Sequence, residues 1–304
     1  SECLFFFVIS MGQTASFTNQ HVVITGGTQG LGLHLAGQFA KDGARVTVIS
    51  RNPAHLEDAK AFMESQGGSM VQGLSADATD AAQLTSAINQ AAGKFGPVDV
   101  LVTCAGFAPT GYFTELTDGQ FHDAMNLNYF GTLNAVRAVV PSMKDRKKGR
   151  IVLVSSGLAL CGYIGYSAYC PSKWAVRGLG EALRSELLPY DITVQQVYPP
   201  GMDTPGFEVE NKTKPGETKA IEEGETTHKP EACAAATFKA ICKNAYHITC
   251  GDFNLGMLAR VAAGMSPRSS TLVDMFLCPL LVLIGKITTM SWDSEVCKVK
   301  WQKK

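Results

Sequence analysis

The chain of 304 residues predicts an α/β fold, a doubly wound parallel sheet in a single domain followed by a C-terminal apolar helical extension. Two observations carry this prediction. Short β-branched runs alternate with helical periodicities from about residue 20 to 200. A composition of 45% apolar and 18% charged residues supplies enough apolar side chains for a large core. Repeated βα units imply parallel strands covered on both faces, with ligands beyond the carboxyl ends of the strands.

His21–Thr25 is a short apolar strand. Residues 30–42 read as a helix with Leu31, Leu35 and Phe39 on one stripe. Arg45–Ser50 is a β-branched strand, and 53–66 a helix that tolerates Pro53 in its first turn. Strands at 69–75 and 98–103 flank a helix at 80–95. Thr117 and Gln120 form a capping signature that opens a long helical region to about Lys144. A strand at 151–155, a helix at 167–188 and a strand at 193–198 follow.

The composition changes after Pro205. Residues 208–229 are charged and lack periodicity, so 205–229 reads as a mobile flap, followed by a helix at 230–245. Residues 275–285 are strongly apolar, preceded by Asp274 and interrupted by Pro279, and Lys298, Lys300, Lys303 and Lys304 end the chain. The domains read as an N-terminal stub at 1–19, a catalytic domain at 20–250 and an apolar, basic extension at 251–304. The chain begins with Ser rather than Met, so the stub reads either as the remnant of an anchor or signal or as a disordered terminus. Its apolar run at 4–9 is short against the ~20 residues that span a bilayer.

Positive and negative residues balance at 27 each, which leaves no electrostatic footprint for nucleic acid. The nine cysteines show no framework and read as reduced thiols facing the cytosol. The six histidines have no metal-site spacing.

The chemistry concentrates at a few positions. The turn containing Gly26, Thr28, Gln29, Gly30, Leu31 and Gly32 follows a strand and opens a helix. Its glycines allow close backbone approach, and the helix N-terminus offers free N–H groups to a diphosphate. This makes the sheet Rossmann-like. The second strand ends in Ser50-Arg51-Asn52, with no acid for a ribose hydroxyl, so Arg51 is the candidate partner of a 2′-phosphate and the cofactor reads as NADPH. Asp77 either accepts from an adenine amino group or caps the next helix. Tyr169 and Lys173 lie one helical turn apart, which sets an ammonium beside a phenol. A nearby cation favours the phenolate and brings the group towards proton exchange with a carbonyl oxygen.

The turn at 25–32, Cys104-Ala105-Gly106, Asn128, Ser156, Tyr169, Lys173 and Pro200-Gly201 together resemble the motif set of the short-chain dehydrogenase/reductase family, from about residue 20 to 205. The resemblance implies that Tyr169 is the general acid/base and that Lys173 lowers its pKa and binds the nicotinamide ribose. It implies that Ser156 hydrogen-bonds the substrate oxygen, with Ser155 pointing to the opposite face, and that Asn128 holds a water in the proton relay. Ala105, Gly106, Met202 and Thr204 are further implied cofactor contacts. The family often carries Asn-Asn-Ala-Gly where this chain has Thr103-Cys104-Ala105-Gly106, which implies a weakened sheet-stabilising hydrogen bond.

A narrower resemblance runs through 198–215 and the Met265-Ser266-Pro267 region. It is to the branch of the family that reduces a 3-keto sphingoid base with NADPH in sphingolipid synthesis, at the cytosolic face of the endoplasmic reticulum membrane. The implied partners are a long-chain keto-lipid and a membrane surface. Residues 275–285 are then too short to span but lie in the interface; the competing reading is a buried core helix or the dimer helix of a homo-oligomer. Glu208, Glu210, Glu222, Glu223 and Glu225 either attract the sphingoid ammonium or, as the favoured reading, are solvated flap charges. The competing functions are a reductase of another lipophilic ketone, such as a steroid or retinoid, and a non-catalytic NADP-binding sensor. The sensor is disfavoured because Asn128, Ser156, Tyr169 and Lys173 are all present.

Overall fold

Each β-branched run alternates its side chains between two apolar layers, and that alternation builds the sheet. The computed structural model describes residues 15–298. In chain order the elements are β1 (His21–Thr25), α1 (Gly30–Lys41), β2 (Arg45–Ser50), α2 (Pro53–Ser65), β3 (Val71–Ser75), α3 (Ala81–Phe95) and β4 (Val100–Thr103). Then come α4 (Asp118–Ala124), α5 (Gly131–Arg146), β5 (Gly149–Val154), α6 (Tyr169–Leu187) and β6 (Ile192–Val197). The chain continues through α7 (Pro205–Thr213), α8 (Gly216–Glu222), α9 (Pro230–Cys242), β7 (His247–Ile248), α10 (Phe253–Ala262) and α11 (Thr271–Lys298).

The strands form one parallel sheet in the order β3-β2-β1-β4-β5-β6-β7. In β1, Val22 and Ile24 enter the layer shared with α1, α2 and α9, while Val23 enters the layer shared with α3, α5 and α6. Phe17, Phe39 and Phe238 meet edge-to-face in the first layer, with ring centroids 5.0–5.8 Å apart. Strand order reverses between β1 and β4, which opens the crevice beyond their carboxyl ends.

Four expectations need correction or completion. The helical region after Thr117 has the capping box, but it is interrupted by a π-helical turn, Met125–Phe130, between α4 and α5. The supposed flap loop folds into α7 and α8, because Thr204 caps α7 and side chains from neighbouring loops meet its polar residues. The apolar stretch at 275–285 is the middle of the 28-residue α11, which continues through Pro279. A proline removes one intrahelical hydrogen bond and need not end a helix. The whole helix is long and apolar enough to cross a membrane, with a window of mean hydropathy 1.8 that is 6% buried, so the expectation that it is too short does not hold. The dipeptide strand β7 and helix α10 were not foreseen. The terminal run at 4–9 and Lys300, Lys303 and Lys304 lie outside the described residues.

Candidate active site

The glycine-rich turn is shaped by close approach. Gly26 has φ +69°, and a Cβ there would lie 2.6 Å from Ala105 Cα. A Cβ on Gly32 would lie 2.4 Å from the Gly26 carbonyl oxygen. Such contacts admit only glycine, and they bring Ala105 and Gly106 against the turn. Gln29, the N-cap of α1, makes no side-chain cap, and the first turn of α1 holds no acid. With no side-chain cap and no acid there, the first N–H groups and the helix dipole suit an anion. Thr204 closes the turn from the other side, with its methyl 3.0 Å from where a Gly30 Cβ would stand. This cradle fits a dinucleotide diphosphate.

At the far end, Arg51 is 70% exposed and its guanidinium lies 3.8 Å from Asp77. Thr28 donates to Ser50 at 3.2 Å. Asp77 accepts from the backbone N–H and hydroxyl of Thr79. The cap of α3 is Asp80, so the helix-cap alternative for Asp77 is set aside. His55, absent from the sequence reading, joins Arg51 and Asn52 in lining this end.

Tyr169 opens α6 and Lys173 follows one turn later, its Nζ 5.8 Å from the phenol ring centroid. Lys173 is buried and donates to the Val154 carbonyl at 3.2 Å. Ser156, just beyond β5, accepts from Leu158 N–H at 3.2 Å and hydrogen-bonds Tyr169. Ser155 points the other way and donates to the Lys173 carbonyl at 2.8 Å, which anchors α6 on β5. Asn128 sits fully buried in the π-turn. Its amide accepts from Phe107 N–H and donates to the Phe107 carbonyl, each at 3.0 Å, and to Ser172 Oγ at 2.9 Å. Asn128 thus ties the loop after β4 to the first turn of α6.

Burial outweighs the neighbouring cation. It pushes the Tyr169 phenol above its ordinary value, while the Ser156 hydrogen bond pulls it partly back. This burial acts against the downward pull expected of the Lys173 ammonium. Burial also lowers Lys173 to about 8. Cys104 stands where the family often has Asn; burial pushes its thiol up to about 11. The Thr103 hydroxyl is buried and finds no partner among the described residues.

The depressed Lys173 gives a stability prediction. Between pH 8 and its unfolded value near 10.5, the unfolded chain holds a proton that the folded chain has lost, so stability rises with pH there. Below pH 8 the full desolvation penalty is present. Lys173→Met should therefore stabilise the cofactor-free protein at pH 7 by on the order of 3 kcal/mol. Denaturant melts at pH 7 and 10 check this. The gain should shrink at the higher pH.

A cleft of about 1860 Å³ runs from the glycine-rich turn past Ser156 and Tyr169 to α10 and α11. Its far wall is apolar: Leu255, Leu258 and Val261 from α10, and Leu281, Ile284 and Trp292 from α11. Met202, which also lines it, bridges to His228, and His228 Nε2 lies 2.9 Å from Asp252. The flap acids divide. Glu208, Glu223 and Glu225 are exposed, but Glu210 and Glu222 are paired with the fully buried Lys214 at 3.0 and 2.7 Å. The solvated reading fails for these two because pairing with a buried lysine is a tertiary contact that local charge content does not reveal.

The family profile for short chain dehydrogenase matches residues 20–215. A 3-dehydrosphinganine reductase of Danio rerio is 43% identical over 254 residues, covering 82% of this chain and 76% of its own. A 3-ketodihydrosphingosine reductase of Dictyostelium discoideum is 39% identical over 302 residues, covering 94% and 90%. The crystal structure of a short chain dehydrogenase/reductase from Burkholderia phymatum in complex with NAD shares the fold, with a TM-score of 0.72 at 21% identity, over 84% of this chain and 100% of that one.

Proposed function

Because the chain belongs to the short chain dehydrogenase family, and within it stands with the 3-ketodihydrosphingosine reductases, we propose that it reduces 3-ketosphinganine to sphinganine with NADPH. The observation that carries the lipid reading is the cleft itself. It joins the Tyr169 hydroxyl to a wall of apolar side chains on α10 and α11, where a long acyl chain is sheltered from water.

When bound, the nicotinamide supplies a hydride to the ketone carbon. Tyr169 gives its proton to the ketone oxygen, so hydride and proton together make the alcohol. Ser156 holds that oxygen. The ammonium of Lys173 stabilises the phenolate left behind and binds the nicotinamide ribose. Asn128 supports the relay that returns a proton, by fixing Phe107 and Ser172 on either side of it. Ala105, Gly106, Met202 and Thr204 line the cofactor's end of the cleft. We place the protein at the endoplasmic reticulum membrane with the cleft facing the cytosol; the exposed apolar faces of α11 support the membrane contact.

Purified protein with NADPH and a panel of keto lipids tests the substrate. The expected result is preferential reduction of 3-ketosphinganine; a preferred steroid or retinoid ketone would displace the reading. Cofactor choice rests on Arg51 and the absence of an acid at Ser50. NADPH should bind more tightly than NADH, and Arg51→Ala should remove most of the difference. A charge-assisted phosphate contact is worth roughly 1.5–3 kcal/mol, or about tenfold or more in Kd. Equal affinities for the two cofactors in the unaltered protein would sink this assignment.

A further inference from the structure

Lys214 is the least expected residue in the flap. Its side chain is fully buried between α7 and α8. Nζ lies 3.0 Å from Glu210 Oε1, on α7, and 2.7 Å from Glu222 Oε2, on α8. It also lies 4.2 Å from the Phe207 ring centroid. A buried ammonium is expensive unless paired and hydrogen-bonded, and here one cation serves two carboxylates.

Those carboxylates face the segment that leads into α6. Tyr166 Oη lies 2.6 Å from Glu210 Oε1 and 2.7 Å from Glu222 Oε1, and Tyr163 donates to Glu222 Oε1 at 3.0 Å. Tyr166 is almost fully buried, its ring centroid is 6.0 Å from that of Tyr169, and its carbonyl accepts from Cys170 N–H at 2.8 Å. Thr218 of α8 donates to the Ile164 carbonyl at 3.0 Å. The flap therefore grips Tyr163, Ile164 and Tyr166 in the segment that leads into α6.

We propose that Lys214 is a positioning residue for the proton donor: its ammonium clamps Glu210 of α7 and Glu222 of α8 against Tyr166, and through Tyr166 fixes the phenol of Tyr169. The proposal rests on the reading of Tyr169 as the acid. Without the ammonium, two carboxylates converging on one phenol repel each other. That repulsion parts α7 from α8, one of the two carboxylates leaves Tyr166, and the segment before Tyr169 loses its anchor.

The experiment compares Lys214→Met, the double variant Lys214→Met with Glu222→Gln, and Tyr166→Phe, using NADPH and 3-ketosphinganine. Lys214→Met keeps an unbranched side chain one atom shorter and removes the charge. Its kcat should fall by about 100-fold, the scale of a misplaced reacting group, with the Kd for NADPH unchanged. Adding Glu222→Gln restores charge balance and should recover most of the loss, which a packing role for Lys214 would not predict. Tyr166→Phe leaves the ion pairs intact, cuts the link to α6 and should lower kcat alone; it also serves if Lys214→Met does not fold. Unchanged kcat in a folded Lys214→Met or in Tyr166→Phe overturns the proposal. So does a loss of NADPH affinity that parallels kcat, or a double variant no better than the single one. Normal turnover by Tyr169→Phe, or no turnover of 3-ketosphinganine by the unaltered protein, would instead overturn the functional reading beneath it.

Discussion

Tyr169→Phe should cut turnover by about 100- to 10,000-fold, the range supplied by a positioned general acid, and leave NADPH affinity nearly intact. The substitution removes one oxygen and keeps the ring, so its contact with Tyr166 and the start of α6 are undisturbed. The diphosphate end of the cofactor cradle lies on other elements, the glycine-rich turn and the loop after β4, and Lys173 keeps its ammonium in this variant. A phenol is protonated at neutral pH, the state an acid needs when a ketone is reduced, and burial raises this one further. Steady-state kcat beside a fluorescence titration with NADPH checks the result. Near-normal turnover would mean that another group delivers the proton.

The second large effect concerns substrate length. KM should rise by about fourfold for each methylene removed from the buried part of the chain, at ~0.8 kcal/mol apiece. Helix α11 permits a test in two halves because it carries two apolar surfaces. Leu281, Ile284 and Trp292 face the cleft. Leu283 and Ile287 are outside its lining and are 59% and 62% exposed. Leu281→Asp with Ile284→Asp should flatten the length dependence. Leu283→Asp with Ile287→Asp should release the protein from liposomes in flotation and leave the length dependence standing. Neither pair touches the nucleotide end, so NADPH affinity is the internal control. An unaltered enzyme indifferent to chain length would favour a compact ketone over a lipid.

Much of the fold and the reacting centre was legible in the sequence because both rest on local rules. β1 and β2 begin and end where alternation of β-branched residues places them, and Thr117 caps the helix it precedes. The spacing of Tyr169 and Lys173 needs only one turn of helix to become a contact. What stayed hidden depends on residues far apart in the chain. Lys214 looks like a surface charge until Tyr163 and Tyr166, some fifty residues earlier, close over its partners. β7 is only two residues long and exists because β6 offers it an edge. Pro279 reads as an interruption, yet a helix with many other backbone bonds carries through it. The upward push on the Tyr169 phenol stayed hidden for the same reason: sequence shows the neighbouring cation but not the depth of burial.

The π-turn at Met125–Phe130 spends one residue more than an α-helix would over the same rise. That surplus sets the rotational phase between α4 and α5. Each residue in a helix turns about 100°, so a chain one residue shorter here would swing the stripe of Ala135, Val136, Val139 and Met143 away from its layer of the core. The same deletion would carry Asn128 off Phe107 and Ser172. Length can drift in the surface loops of such a chain, but at this turn the count of residues is itself a structural quantity, shared by the core and the reacting centre.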